Sequence, residues 1–157
     1  MLFITGSNGF IARHLIAAAD SEVGCYDVAN RTEQDICAIL DGVVWENIAA
    51  IYHLGAVADT TETDIDKLYE HNVKFTLKLF EKASEFGIPV NYASSAAVYG
   101  NTTDYSIQPL NPYATMKALV DQYVLDNLNS FPSIRGWRLF NVYGENERCK
   151  GHMASPY

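Results

Sequence analysis

The stretch TGSNGFIA, Thr5 to Ala12, decides the predicted fold because it joins a short apolar run to a helical pattern through two glycines. The preceding run, LFIT at 2–5, is typical of a strand, and GFIARHLIAAA at 9–19 has apolar residues at helical spacing. Gly6 and Gly9 permit a tight turn and let backbone N–H groups approach a pyrophosphate at the helix N-terminus. A G-x-x-G pattern alone is a weak signal, since an ordinary turn has the same residues. Its position directly after the first strand favours the phosphate-binding interpretation.

The remainder of the chain continues this alternation of strands and helices. Further strand-like runs lie at 22–27, 49–56, 88–94 and 134–142, and amphipathic helical patterns lie at 66–86 and 111–128. Buried strands alternating with helices predict parallel βαβ units, and therefore an α/β fold with a doubly wound parallel sheet. In that architecture ligands bind beyond the carboxyl ends of the strands, near the point where the strand order reverses.

Composition and charge exclude several classes of function. The 157 residues fit one domain, and the 48% apolar and 19% charged fractions indicate a globular chain. The net charge of −8 disfavours non-specific nucleic-acid binding, which needs basic residues to displace counterions from phosphates. The longest apolar runs are too short to cross a bilayer, and no signal peptide is expected because a strand-like run follows Met1 directly. We therefore predict neither a nucleic-acid partner nor a membrane partner.

Cysteine and histidine usage indicates the compartment and argues against a metal site. The three cysteines, Cys25, Cys37 and Cys149, are odd in number and show no CxxC spacing. A reduced, cytoplasmic compartment is the simplest interpretation. The four histidines form no HExxH or similar pair, so we predict no metal.

Acidic residues after the second predicted strand bear on the choice of cofactor. Asp27 closes that strand, where a carboxylate accepts both hydroxyls of an adenosine ribose and repels a 2′-phosphate. The prediction is NAD, with NADP possible because Asn30 and Arg31 follow and an arginine can pair with that phosphate. A turn or cap is the competing role for Asp27. Asp35 and Ile36 are predicted near the adenine, and a helix cap is an equal alternative there.

Two further stretches carry groups able to move a proton. YATMK places Tyr113 and Lys117 at i and i+4, on one face of a helix. A free tyrosine has a pKa of about 10, and a nearby ammonium favours its phenolate, so Tyr113 can take a proton from a hydroxyl. YASSAAVYG at 92–100 adds Ser94 and Ser95 at a strand end. Alone, YxxxK more often marks a core tyrosine with a surface lysine, and a serine-rich loop often caps its own backbone.

In combination, these motifs resemble the extended short-chain dehydrogenase/reductases, which modify nucleotide sugars with a bound nicotinamide cofactor. The motifs occur in the family's order: TGxxGFI, an acid after the second strand, IYHLGA, NYASSAAVYG, NPYATMK and RLFNVYG. The resemblance covers about residues 1–155 and implies a Rossmann dinucleotide-binding domain at 1–144. It also implies that 145–157 begins a substrate-binding region that is otherwise largely absent, because family members continue well past this point.

The resemblance assigns roles to individual residues. Ser95, Tyr113 and Lys117 match the catalytic trio, with Tyr113 as acid/base and Lys117 holding the nicotinamide ribose and lowering the Tyr113 pKa. Ser95 is preferred to Ser94 because the family's Ser/Thr lies four residues before the tyrosine of the YG pair, here Tyr99. The implied cofactor-binding residues lie on the glycine turn, the strand ends and two helices: Gly6, Asn8, Gly9, Phe10, Ile11, Asp27, Asp35, Ile36, Leu54, Gly55, Ala56, Asn72, Tyr113 and Lys117.

Substrate residues are implied in the loops. These are Thr60, Thr61, Ser94 and Asn141. Thr60 and Thr61 have a competing interpretation as helix caps, because Thr61 with Asp64 fits a capping box. Asn72 matches a family asparagine that steadies the site.

Two features narrow the expected reaction within the family. Sugar 4,6-dehydratases place an Asp–Glu pair after the catalytic threonine, where this chain has Ala96 and Ala97, so dehydration is not expected. GAVADTTETD at 55–64 and CKGHMAS at 149–155 resemble the ADP-glycero-manno-heptose 6-epimerases, which implies Lys150 as a second acid/base. For Lys150, a solvated lysine with no chemical role is the alternative, and for GHMAS a cloning remnant.

The expected function is therefore that of a nucleotide-sugar epimerase that transfers a hydride transiently to a bound nicotinamide cofactor. A UDP-hexose 4-epimerase or a reductase of the same family is one alternative, and a truncated, non-catalytic NAD-binding module is another. The expected partners are a nucleotide-sugar substrate and a second copy of the chain. A homodimer or higher homo-oligomer is expected because the two long helical patterns are apolar on more than one face, and the family pairs these helices about a two-fold axis.

Overall fold

The computed structural model describes residues 1–26, 38–147 and 151. It begins with β1 (Leu2–Thr5), α1 (Phe10–Ala18) and β2 (Val23–Tyr26), and continues through a short 3-10 turn (Trp45–Asn47) to β3 (Ala50–His53). A long helix follows in three contiguous parts, Ile65–Tyr69, a π-helical turn Glu70–Lys74 and Phe75–Glu85, which together are called α2. The described elements end with β4 (Val90–Ser95), a 3-10 turn (Ala96–Tyr99), α3 (Pro112–Asp126), a 3-10 turn (Leu128–Ser130) and β5 (Ile134–Leu139).

The sheet confirms the predicted doubly wound architecture. Its strands are all parallel and lie in the order β2-β1-β3-β4-β5. The chain moves from β1 to β2 in one direction, and β3, β4 and β5 then extend the sheet on the other side of β1. The strand order therefore reverses between β1 and β3, which is where a crevice opens at the carboxyl edge of such a sheet.

Two strands end earlier than the hydrophobic pattern predicts, because their neighbours end there. The predicted run 49–56 is a strand only over Ala50–His53, since His53 pairs with Thr5, the last residue of β1. The predicted run 134–142 stops at Leu139, which pairs with Ser95 at the end of β4. Leu54 to Ala56 and Asn141 to Tyr143 thus form loops at the carboxyl edge, where ligands bind in this architecture.

The predicted helix 66–86 begins differently from the capping-box alternative. Asp64, not Thr61, is the N-cap, and its carboxylate accepts the backbone N–H of Lys67 at 3.0 Å. The capping-box interpretation of Thr61 is therefore wrong. The π-helical turn at Glu70–Lys74 has no signature in the apolar spacing, and turns of this kind often mark functional sites.

An apolar core holds α2 and α3 against the sheet. Its fully buried members come from β1, β3, β4 and α2, and include Phe3, Ile51, Leu68, Phe75, Leu79, Phe80 and Val90. Burying one such side chain contributes about 1.5–3 kcal/mol, so this face fixes the helices that carry the candidate site. Within the described residues, no helix combines the length and apolar character needed to cross a membrane.

Candidate active site

The turn after β1 leaves no room for side chains. Gly6 has φ +68°, and a Cβ placed on it would lie 2.6 Å from the Cα of Gly55. The backbone N–H of Gly9 donates to the carbonyl of Gly6 at 2.8 Å, which closes the turn. Gly55 is also crowded, though less so, because a Cβ there would lie 3.1 Å from the nitrogen of Gly6. Just beyond the ends of β1 and β3, Gly6 and Gly55 therefore approach each other through backbone, and a Cβ on Gly6 would fill the space between them.

The N-terminus of α1 opens directly onto this turn. Gly9 is the N-cap in extended conformation and offers no side-chain cap, and the first turn of the helix has no acidic residue. The partial positive charge of the helix end is therefore not balanced by a carboxylate of its own first turn. A backbone turn followed by such a helix end fits a pyrophosphate group. The structure brings Gly6, Asn8, Gly9, Phe10 and Ile11 together here, as the sequence predicts.

Behind the turn, a buried chain of hydrogen bonds links β1, β3 and α2. His53 Nδ1 lies 2.7 Å from the Thr5 hydroxyl, and His53 Nε2 lies 2.8 Å from the Thr76 hydroxyl. Thr76 donates its only hydroxyl proton to the Asn72 carbonyl at 2.8 Å, so it accepts from His53 Nε2–H. His53 Nδ1 then accepts from Thr5, whose oxygen accepts the Gly55 N–H at 3.1 Å. The contacts thus fix the tautomer of His53.

His53 is also held in its neutral form. The pKa of His53 is lowered from 6.5 to about 3. Burial is the larger cause, and the nearby ammonium of Lys117 is the smaller one. A protonated imidazole would require Thr5 to turn its hydroxyl proton away from Nδ1 and accept there instead, in addition to accepting from Gly55. His53 therefore stays neutral and links Thr5 on β1 to Thr76 on α2 by hydrogen bonds. These three residues are called the strut.

Asn72 fastens the loop after β3. Its side chain makes two hydrogen bonds with the backbone of Val57: Val57 N–H donates to Oδ1 at 2.8 Å, and Nδ2–H donates to the Val57 carbonyl at 2.9 Å. Asn72 is 1% exposed and lies in the π-helical turn, which presents its side chain to this loop. Leu54, Gly55 and Ala56 are held between this contact and the end of β3.

A second group of residues lies beside the end of β4. Asn111 caps α3 by accepting the Ala114 N–H at 2.8 Å, which places Tyr113 in the first turn of the helix. The Ser95 hydroxyl is near enough to Tyr113 to lower the Tyr113 pKa by hydrogen bonding, but burial is the larger cause and the net pKa is raised. Lys117 follows one turn later, with Nζ 5.9 Å from the centre of the Tyr113 ring. The structure therefore brings Ser95, Tyr113 and Lys117 together.

Lys117 is a buried cation with a defined place. Its ammonium donates to the carbonyl of Ala93 on β4 at 2.7 Å. Burial lowers the pKa of Lys117 from 10.5 to about 8, and the carboxylate of Asp121 opposes that effect. With a pKa of about 8, the side chain is still mostly protonated at neutral pH, so a cation lies one helical turn from Tyr113.

The residues predicted to contact substrate are more scattered. Ser94 is buried and donates to Asp121 at 3.0 Å, so its hydroxyl serves a helix–sheet contact rather than the group around Tyr113. The Thr61 hydroxyl donates to Asp59 at 2.6 Å within an exposed turn. Thr60 lies beside it, and Asn141 is exposed after β5. Both loops follow strands at the carboxyl edge of the sheet.

Four predicted residues lie outside the described part of the chain: Asp27, Asp35, Ile36 and Lys150. In the described ranges, no group of three or more His, Cys, Asp or Glu side chains is arranged to hold a metal ion.

Two parts of the site were missed by sequence reasoning. His53 lies inside the quoted motif IYHLGA, yet nothing in the motif indicates its hydrogen-bond partners on two other elements. Asp121 lies at i+4 from Lys117, and that spacing was the available signal for it.

Comparisons with known proteins add to this geometry. The model of a family described as the NAD dependent epimerase/dehydratase family matches residues 2–156. Among solved structures, the chain is similar to ADP-L-glycero-D-manno-heptose-6-epimerase of Helicobacter pylori, with 26% identity and a TM-score of 0.83 over 98% of this chain and 59% of that chain.

Two further structures extend the comparison. UDP-N-acetylglucosamine 4-epimerase from Methanobrevibacter ruminantium M1, in complex with UDP-N-acetylmuramic acid, is 25% identical with a TM-score of 0.79, covering 99% of this chain and 58% of that chain. RMD from Pseudomonas aeruginosa, complexed with NADPH, is 26% identical with a TM-score of 0.73, covering 91% of this chain and 55% of that chain. The chain thus spans little more than half the length of each of these proteins.

Proposed function

The chain belongs to the NAD-dependent epimerase/dehydratase family, and from that premise we propose that it is the nicotinamide-binding part of a nucleotide-sugar epimerase. The observation that carries the proposal is the meeting of two sites at one edge of the sheet. The glycine turn lies between the ends of β1 and β3, and Tyr113 with Lys117 lies beside the end of β4. Lys117 is near enough to lower the pKa of His53 on β3, so the two sites are neighbours.

The side chains at this edge suit proton transfer next to a bound dinucleotide. When bound, the nicotinamide would accept a hydride from a sugar carbon and return it to the opposite face. Tyr113 removes the proton from the hydroxyl on that carbon through its phenolic oxygen, and Ser95 donates a hydrogen bond to the same substrate oxygen. Lys117 favours the phenolate of Tyr113 and holds the nicotinamide ribose.

The proposed cofactor is NAD in preference to NADP. Asp27, after β2, is the residue that supports this preference, through repulsion of a 2′-phosphate. Arg31 would weaken the preference by pairing with that phosphate. Calorimetric titration with both cofactors separates the two outcomes: tighter binding of NAD is expected, and equal or tighter binding of NADP would show that Asp27 does not face the ribose.

The proposed reaction is interconversion of ADP-heptose epimers. The similarity to the Helicobacter pylori enzyme supports it, together with the CKGHMAS segment that contains Lys150. Epimerisation removes a hydride from one face of the sugar carbon and returns it to the other, so the hydroxyl on that carbon projects to opposite sides in the two epimers. Tyr113 would exchange the hydroxyl proton of one epimer and Lys150 that of the other. Lys150 has this role only with the remainder of the substrate-binding region present.

A full-length protein is the right material for the test. Wild type and Lys150→Ala are supplied with one ADP-heptose epimer, and formation of the other is followed by chromatography. The proposal expects conversion by wild type and little by Lys150→Ala; equal conversion by both would remove Lys150 from the mechanism.

The structure with UDP-N-acetylmuramic acid favours a second candidate, a UDP-hexose 4-epimerase. Conversion of UDP-hexose epimers without conversion of ADP-heptose would favour that candidate. Retention of NAD by a full-length protein that turns over neither substrate would identify a non-catalytic cofactor-binding module instead.

We further propose that two copies of the chain associate through α2 and α3. Both helices expose large apolar side chains: Ile65 and Tyr69 on α2, and Leu119 and Leu125 on α3. Their burial against a two-fold related copy would remove this surface from water. Sedimentation at micromolar concentration is expected to give a dimer, and a monomer of 17.5 kDa would contradict the proposal.

A further inference from the structure

Asp121 is a buried carboxylate that lies one helical turn beyond Lys117. It is 7% exposed and accepts three hydrogen bonds, from the Tyr92 hydroxyl at 2.9 Å, the Ser94 hydroxyl at 3.0 Å and Arg138 Nε at 2.8 Å. A buried carboxylate is costly unless it is paired and hydrogen-bonded, and these donors satisfy both of its oxygens. Asp121 is therefore a fixed negative charge inside the helix–sheet interface.

Lys117 and Asp121 approach the same strand. Lys117 donates to the carbonyl of Ala93, while Asp121 accepts from the residues on either side of it, Tyr92 and Ser94. Lys117 is 7% exposed, and the hydrogen bond to a neutral carbonyl offsets only part of the cost of burying its charge. The nearby anion supplies attraction that the carbonyl lacks, which is why it opposes the effect of burial on Lys117.

The other titratable or charged groups around Lys117 do not supply this attraction for its ammonium. On α3 itself, Tyr113 is a neutral phenol with a raised pKa. On β3, His53 is neutral, and on β4 the pKa of Tyr92 is raised well above its usual range, by burial first and then by Asp121. On β5, Arg138 is a cation that pairs with Asp121 and also donates to the Tyr99 hydroxyl at 3.1 Å.

We propose that Asp121 is a positioning residue of the candidate active site, whose carboxylate keeps the ammonium of Lys117 charged and in place. Its catalytic consequence rests on the proposed function, in which charged Lys117 supports the Tyr113 phenolate and the ribose. Arg138 shares the same carboxylate and thereby limits its attraction for Lys117. A purely structural Arg138–Asp121 ion pair would affect stability and leave the charge state of Lys117 unchanged.

The test is a pH titration of the Lys117 side chain in the chain itself, followed by ¹³C NMR of its Cε and assigned with Lys117→Met. Asp121→Asn retains the size and much of the hydrogen bonding, and should lower the midpoint for Lys117 by about one pH unit or more. Arg138→Met removes the competing cation and should raise that midpoint. Tyr92→Phe removes one hydrogen bond to Asp121 without a change of charge, and should shift the midpoint by much less.

The opposite signs expected for Asp121→Asn and Arg138→Met make the result decisive. Shifts in the two expected directions support the proposal, and an unchanged midpoint in either folded variant overturns it. If Asp121→Asn does not fold, Arg138→Met decides the outcome alone. Because the titration needs neither NAD nor substrate, calorimetry with NAD on the same samples tests the proposed function separately: a chain that shows the Lys117 shifts but binds no NAD would contradict only the latter.

Discussion

The glycine turn and the Tyr113 site lie at the same edge of the sheet, yet one is formed by backbone and the other by side chains. The turn is made of backbone: a side chain on Gly6 would collide with Gly55, and one on Gly55 would crowd Gly6. The Tyr113 site is made of side chains whose ionisation depends on burial and on neighbouring charges. Substitution in the first region should therefore damage the fold and the cradle together, whereas substitution in the second should leave the fold and change the chemistry.

The largest effect is expected at the glycine turn. Gly6→Ala adds a methyl 2.6 Å from the backbone of Gly55 at φ +68°, and should destabilise the chain by about 3 kcal/mol or more. Gly87→Ala is the matched control, because Gly87 has φ +62° with nothing within 4 Å of the added Cβ. It should lose only about 1–2 kcal/mol. Urea unfolding of both variants is the measurement, and equal losses would show that the Gly6–Gly55 contact does not matter.

The second largest effect is expected in the Tyr113 site, on turnover. In a full-length protein, Tyr113→Phe should reduce turnover by a factor of roughly 10², because the acid/base is lost, while the unfolding midpoint changes little. Tyr123→Phe, six residues beyond Lys117 on the same helix, removes the hydroxyl of a half-buried tyrosine outside the trio and should keep the wild-type rate. Steady-state kinetics and thermal unfolding decide the matter, and full activity of Tyr113→Phe would identify it as an ordinary core tyrosine.

A third prediction concerns the strut between the regions. The folded chain lowers the pKa of His53 from 6.5 to about 3, so the unfolded chain binds the proton more tightly. The contribution of His53 to stability is therefore complete above pH 6.5 and is lost as the pH falls from 6.5 toward 3. Within that window the loss should approach about 1.4 kcal/mol per pH unit.

Urea unfolding at a series of pH values measures this slope. His53→Gln should remove it, whereas His14→Gln, at an exposed histidine, should retain it. An identical slope in wild type and His53→Gln would mean that other groups cause the acid sensitivity.

The smallest effect is expected on stability, at the N-cap of α3 that places Tyr113 in the first turn of the helix. Asn111→Ala removes the cap on the Ala114 N–H and should cost about 1 kcal/mol of stability. Asn111→Asp keeps an acceptor at the cap and should cost much less. Thermal unfolding of the two variants compares them; the cap would be unimportant if both behaved alike.

The sequence predicts the parts of the molecule that depend on local pattern. The βαβ alternation led to the sheet, and TGSNGFIA and YATMK led to the turn and to Tyr113 with Lys117. Strand ends are harder to predict from the sequence, because β3 and β5 stop where a neighbouring strand stops. The strut of Thr5, His53 and Thr76 joins residues far apart in the chain, and no local spacing encodes it. Ser94 shows the same limit, since only the fold pairs it with Asp121.

Binding of NAD to this chain tests most directly the central claim, that the two regions form one dinucleotide site. Calorimetric titration of wild type with NAD is predicted to give saturable binding of one molecule per chain. Lys117→Met, which leaves the glycine turn intact, is predicted to bind more weakly because the ribose loses its cation. Absence of binding by folded wild type, or equal affinity in Lys117→Met, would contradict the claim.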